Sequence, residues 1–207
     1  LIEQALEESS HSLDIQVTAL RELAQNLTIT SRSLAEPFLE RLLASDRPIE
    51  LRIEAAVGLS KLDQQLGIGF IPEAASSPEA GIRYLAARAL GQLRAERSEG
   101  LLLELLKDDV SYVNEEAAFS LARAGGASSA IALGNYLLAE GRPESAYRTA
   151  INSLISIGSP SGLPYLLDAL RSDEFHWLIK TSIIRAIGLL PGSGDLELEE
   201  RRESVLL

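Results

Sequence analysis

An all-α fold is predicted, an α-solenoid of about six helical hairpins, and three observations predict it. First, one pattern recurs along the chain. Its clearest copy is Arg83-Tyr84-Leu85-Ala86-Ala87-Arg88-Ala89-Leu90-Gly91-Gln92-Leu93. The same layout appears at Arg52…Ala55-Ala56…Leu59…Leu62 and at Asn114…Ala117-Ala118…Leu121…Ala124. Weaker copies lie at Tyr147…Ala150-Ile151, Lys180…Ile183-Ile184 and Gln16…Ala19-Leu20. The anchors fall at 19, 55, 86, 117, 150 and 183, in steps of 36, 31, 31, 33 and 33. Second, each copy repeats apolar residues at i, i+4 and i+7, the spacing of one helix face. Third, Leu and Ala fill 64 of 207 positions while aromatics make up only 5%. That composition suits packed helices, and period-2 alternation, the mark of strands, is absent.

The elements follow in order. The anchored segments form one helix of each unit, here helix B. Between them lie second apolar helix patterns, helix A, at 34–44, 100–107, 130–138 and 162–170. Breaks that stop helices separate them: Arg47-Pro48, Ser76-Ser77-Pro78, Gly125-Gly126 and Gly158-Ser159-Pro160. A single hairpin cannot bury its own apolar face, so neighbours must stack into one array. Paired Ala residues let adjacent helices approach closely, with Leu filling the gaps. The expected organisation is one array over 1–190 and a charged cap or tail over 191–207, beginning after Pro191-Gly192-Ser193-Gly194.

Composition excludes several function classes. The absence of Cys removes disulfides, thiolate zinc sites and thiol nucleophiles on this chain. Two His argue against a histidine metal centre, and no intrinsic cofactor or metal is expected. A net charge of −11 argues against a nucleic-acid groove, which needs a basic face. No run of 18 apolar residues suggests a membrane span, and the acidic opening segment does not read as a secretory signal. A cytoplasmic setting is the default expectation. GxGxxG, P-loop, HExxH and GxSxG signatures are all missing.

One face of helix B is the expected working surface. In such solenoids helix B lines the concave side, and the positions opposite its core face form a ridge. One row of that ridge reads Ile53, Tyr84, Glu115, Arg148 and Thr181; the next reads Val57, Arg88, Phe119, Asn152 and Arg185. Aromatic, apolar and Arg residues mixed in this way have the composition of binding surfaces. The alternative is that Ile53, Val57 and Phe119 pack between repeats. Arg88, Arg148 and Arg185 could hold an anionic partner through their planar forks, or pair with nearby Glu. His176 and Trp177, at the turn into the last helix B, could contact a ligand at the end of the array. A Trp there could equally pack over that end, and His176 could be an idle surface residue. Tyr112 and Tyr147 sit near helix B starts, and Glu115-Glu116 suit the positive end of a helix dipole.

The Arg-x-x-Ala-Ala-x-x-Leu-Gly-x-Leu pattern at 83–93 resembles a HEAT repeat. In its short form, and with the stretch His176-Trp177-Leu178-Ile179-Lys180-Thr181-Ser182-Ile183, it resembles the HEAT-like repeat of the phycobilin lyase family of cyanobacteria, over roughly residues 13–190. That resemblance implies a role in attaching a linear tetrapyrrole, a bilin, to a Cys of a phycobiliprotein subunit, or in chaperoning the bilin. It implies a phycobiliprotein subunit as partner, together with a second HEAT-repeat chain in a heterodimer. The acceptor thiol belongs to the substrate, so a chain without Cys is compatible. The scaffold would act by orientation and exclusion of water. Bilin propionates would suit Arg88, Arg148 or Arg185, and the ring faces Tyr84, Phe119 or Trp177. No catalytic residue is fixed by the motif. The competing expectation is a non-catalytic adaptor that binds proteins.

Overall fold

The computed structural model describes residues 12–27, 32–63, 67, 69–93, 96–192 and 194–206. Among them there are twelve α-helices and no strand. The helices that carry the repeated pattern are α1 (Leu13–Gln25), α3 (Ile49–Leu62), α5 (Ala80–Leu93), α7 (Ser111–Ala124), α9 (Glu144–Ile157) and α11 (Trp177–Leu189). Between them run α2 (Arg32–Leu43), α4 (Ile71–Ala75), α6 (Glu96–Leu105), α8 (Ala127–Leu137) and α10 (Leu163–Arg171). A final helix, α12 (Leu196–Leu206), packs on α10 and α11. Any helix paired with α1 on its N-terminal side lies outside the described residues.

The odd-numbered helices stack in one layer: α1 on α3, α3 on α5, α5 on α7, α7 on α9 and α9 on α11. This is an α-solenoid. The anchors explain the stacking. Ala55, Ala86, Ala117, Ala150 and Ile183 are fully buried, and so are Ala56, Ala87, Ala118 and Ile151 beside them. Small residues bring the helix axes together, and Leu59, Leu90, Leu121 and Leu154, all buried, fill the space left. The core runs from Ile53 to Leu190 in one cluster; a second joins α1, α2 and α3 around Leu20, Leu39 and Leu59.

Helices α5 and α7 approach each other closely. A Cβ placed on Gly91 would stand 3.0 Å from the Ser120 Cα and closer still to its side chain. Helix α7 would have to retreat. Gly91→Ala is therefore expected to cost about 1–3 kcal/mol in spite of its better helix propensity. Thermal unfolding followed by circular dichroism measures it, and a raised melting temperature would refute the close-packing account.

Polar ties set the register between hairpins, and they start from the first position of the repeated pattern. Arg83 donates to both carboxylate oxygens of Asp108, at 2.6 and 2.9 Å, and to the Ser77 and Pro78 carbonyls at 3.0 Å. Asn114 Nδ2 donates to the Asp108 carbonyl at 2.9 Å, and Arg52 Nε to the Leu43 carbonyl at 3.0 Å. The Tyr147 hydroxyl donates to Glu174 at 3.2 Å, with its ring edge-on to Phe175. At the start of α8, Glu99 of α6 accepts from the Ser128 and Ser129 hydroxyls, both at 2.6 Å. Those hydroxyls hold its carboxyl below the usual range. A carboxylate there also meets the positive end of the α8 dipole. Gly158 ends α9 in the left-handed region (φ 64°), where a glycine carries no Cβ penalty.

At the C-terminal end, Arg201 of α12 pairs with Asp168 at 2.8 Å and Arg202 donates to the Leu190 carbonyl at 2.6 Å. Leu198 and Val205 pack against the main core. Helix α12 thus docks on α10 and α11.

Candidate concave groove

The ridge positions divide once the helices are stacked. Ile53 and Val57 are only 2% and 1% exposed and belong to the core, so the packing alternative holds at the first of the five ridge helices. From α5 onward the ridge opens. Tyr84, Glu115 and Phe119 come together with Tyr112, Glu116 and Thr149 around a groove of about 310 Å³. Phe119 is 54% exposed and Tyr112 49%, large apolar surfaces that no part of the described chain covers. The Tyr84 and Tyr112 rings meet edge-on with centroids 6.0 Å apart. The α5–α7 contact that Gly91 permits positions this pair, since one ring stands on each helix.

Two carboxylates share the groove. Burial is the main influence on Glu116 and pushes its carboxyl above the usual range; Arg88, Tyr84 and Arg123 act against that shift. Glu116 therefore holds its charge less readily than a free Glu, and a cation arriving at the groove would stabilise it.

The Arg residues of the ridge are mostly engaged within the chain. Arg88 donates to Glu54 Oε1 at 3.2 Å, and its guanidinium lies 5.9 Å from the Tyr84 ring centre. The same oxygen accepts from Arg21 Nε and Nη2 at 3.0 and 2.8 Å. Three consecutive helices of the stacked layer, α1, α3 and α5, are thereby tied by one buried carboxylate, whose other oxygen has no hydrogen-bond partner. Arg148 is held by Glu144 one turn before it, at 2.6 and 2.8 Å, with both side chains largely in solvent. Arg185 is exposed and forms no ion pair among the described residues. Asn152 is exposed on α9. The sequence pattern hid Glu54 because it occupies the column filled by Leu85, Thr149 and Ser182 in other repeats. The one hint was that Glu116 shares that column.

His176 and Trp177 stand at the start of α11, their rings 5.8 Å apart. Trp177 is 64% exposed, so it does not pack over the end of the array. Leu178, Ile184 and Leu189 are exposed on the same helix. The counterparts of Ile184 in the four helices before it, Ala56, Ala87, Ala118 and Ile151, are fully buried by the next repeat. Among the described residues only α12 packs on this side of α11, and it leaves Leu178, Ile184 and Leu189 exposed.

No helix among the described residues is long and apolar enough to cross a membrane. Nor is there among them a group of three His, Asp or Glu residues that could hold a metal ion.

Comparison with known proteins agrees with this architecture. Residues 69–144 match the family model for HEAT repeats. No match to a curated protein was found. Among solved structures, an engineered protein shares 19% identity with a TM-score of 0.58, covering 99% of this chain and 61% of that one. A designed armadillo repeat protein in complex with a (KR)4 peptide shares 16% identity with a TM-score of 0.53, covering 99% and 96%. The complex of CpcE and CpcF of phycocyanin lyase from Nostoc sp. PCC7120 shares 17% identity with a TM-score of 0.43, covering 100% and 95%. At such identities the first two likenesses establish the fold alone, and the third, at a TM-score of 0.43, supports no argument.

Proposed function

We propose that this HEAT-type array is a binding scaffold whose concave groove takes a basic segment of a partner protein. One observation carries the reading: exposed Phe119 and Tyr112 stand beside Glu115 and Glu116 in a single groove on the stacked helix layer. Aromatic faces and carboxylates together suit a Lys or Arg side chain, through cation–π attraction and charge-assisted hydrogen bonds. Aromatic anchors also carry much of the energy in protein interfaces. The chain's net charge of −11 would speed the approach of a basic partner.

A peptide of alternating Lys and Arg, the kind held by the designed armadillo protein, is a suitable probe. Fluorescence anisotropy should show saturable binding. Combining Glu115→Gln, Glu116→Gln and Phe119→Ala should weaken it at least about tenfold with helicity unchanged. Binding should also fade as pH falls, because protonated Glu116 no longer attracts a cation. Since burial raises that carboxyl, the fading should begin above the ordinary Glu value of 4.5. Equal binding by the triple variant would remove the groove from the account.

A phycobilin lyase subunit or bilin chaperone is the second reading. It rests on the resemblance of 83–93 and 176–183, and the aromatic walls of the groove would accept a tetrapyrrole face. It is the weaker reading, because propionates would have to compete with Glu54 for Arg88 and with Glu144 for Arg148. Of the three, Arg185 alone forms no ion pair among the described residues. Purification from a bilin-producing host decides it: visible absorbance that co-purifies supports it, and a colourless protein removes it. The expected second repeat chain would have a seat at the exposed face of α11, where no described residue covers Trp177, Ile184 and Leu189.

A further inference from the structure

A second cavity, of about 600 Å³, opens on the opposite helix layer between the C-terminal ends of α6 and α8. It is independent of the concave groove and shares none of its residues. Leu103, Leu106, Ala132 and the Tyr136 ring supply its apolar walls; Arg142, Asn135, Lys107 and Glu104 supply its polar ones. The volume falls in the range of small-molecule sites, and an apolar cleft with a few convergent polar groups is their usual composition.

The charges in the cavity do not cancel. Lys107 Nζ and Glu104 Oε1 neutralise each other at 3.0 Å. Arg142 remains. Its guanidinium carbon lies 3.7 Å from the centre of the Tyr136 ring, so the plane rests on an aromatic face. The Tyr136 hydroxyl is already committed to Asn114 Oδ1 at 2.6 Å, which fixes the ring as a platform. Arg142 Nε is buried with no hydrogen-bond partner, and the side chain forms no ion pair among the described residues. The nearby carboxylate Glu174 accepts instead from the Gly141 amide and the Tyr147 hydroxyl. A buried Nε–H without an acceptor is costly even with the guanidinium against the Tyr136 ring and hydroxyl, and a bound anion would offset that cost. The aromatic stack also pre-orients the guanidinium, leaving its edge for a planar oxyanion.

We infer that this cavity is a binding site for a small monocarboxylate with an apolar body, its carboxylate on Arg142 and its hydrocarbon against Leu103, Leu106, Ala132 and Tyr136. Titration of the full chain with octanoate, and with octan-1-ol as the uncharged counterpart, tests this through backbone amide shifts. Octanoate should saturate shifts at Asn135, Tyr136 and Arg142, and should bind at least about tenfold more tightly than octanol. Arg142→Gln should erase that preference while leaving octanol binding within about twofold. Ala132→Phe fills the cavity and should block both, which keeps the test decisive if the Arg142 variant fails to fold. The inference is overturned if octanoate gives no saturable shifts at these residues, if octanol binds equally well, or if Arg142→Gln leaves octanoate affinity unchanged.

Discussion

Ala117→Trp should break the array in its middle. Ala117 is fully buried on α7, the helix that packs against α5 on one side and α9 on the other. Its methyl group is all that the closely stacked layer admits. An indole cannot fit in any rotamer without separating two hairpins. Overpacking typically costs about 1–3 kcal/mol, and a swap this large on a residue with no exposure belongs at or above the upper end. For a chain of this size that lowers the melting temperature by about 6–12 °C. Stability in stacked repeats is a sum of unit and neighbour terms, so the loss falls on two interfaces at once. A single cooperative melt should broaden or split in two. An unchanged melting curve would mean that the small-residue anchors do not set the helix spacing.

Asp108→Ala should cost almost as much, through a different mechanism. Arg83 and Asp108 side chains are only 15% and 7% exposed and meet in a two-pronged pair across a repeat boundary. Removing one partner leaves a half-buried guanidinium with the Ser77 and Pro78 carbonyls and the solvent-exposed Asp109, at an expected cost of about 3 kcal/mol. The neighbouring Asp109 is a built-in control. It stands 3.6 Å from the same guanidinium but is 93% exposed. Asp109→Ala should change stability by no more than about 0.5 kcal/mol. Chemical unfolding of the two variants side by side measures the difference, and equal effects would contradict the role given to Asp108. The pair also carries a pH signature. The hydrogen bond from Arg83 is the main cause that holds the Asp108 carboxyl below its ordinary 3.8. A lowered folded-state value means that the stabilisation is present above the unfolded value and is lost as pH falls through the folded one. Wild-type stability should therefore fall more steeply below about pH 4 than that of Asp108→Asn.

The repeat was legible because it obeys a rule that a single sequence displays. Small residues at fixed intervals are demanded by helix approach, and Ala55, Ala86, Ala117 and Ala150 are all fully buried where the spacing placed them. Helix α4 was harder to read. It has five residues, begins with Ile71-Pro72 and stops before Ser77-Pro78, too short for a 3.6-residue period to emerge. The groove was half legible. Helical geometry put Tyr84, Glu115 and Phe119 on one ridge, and stacking brings them together. The same geometry put Ile53 and Val57 there, because a column shows direction but not what the neighbouring unit covers. From the sequence Arg88 could hold a partner or pair with a Glu. Its carboxylate, Glu54, lies 34 positions earlier, and contacts between successive repeats leave no mark in local spacing. Arg142, the centre of the second cavity, was passed over for a similar reason. It sits in a turn outside the repeated pattern, and only the packing of Tyr136 beneath it makes it a site.

A basic partner segment is expected to bind in the groove between α5 and α7. Mapping backbone amide shifts during titration with the Lys-Arg peptide tests it most directly. The account predicts saturable shifts centred on Tyr84, Tyr112, Glu115, Glu116, Phe119 and Thr149, suppressed when Glu115 and Glu116 are replaced by Gln. Shifts centred elsewhere on the chain, or no saturable shifts at all, would contradict it.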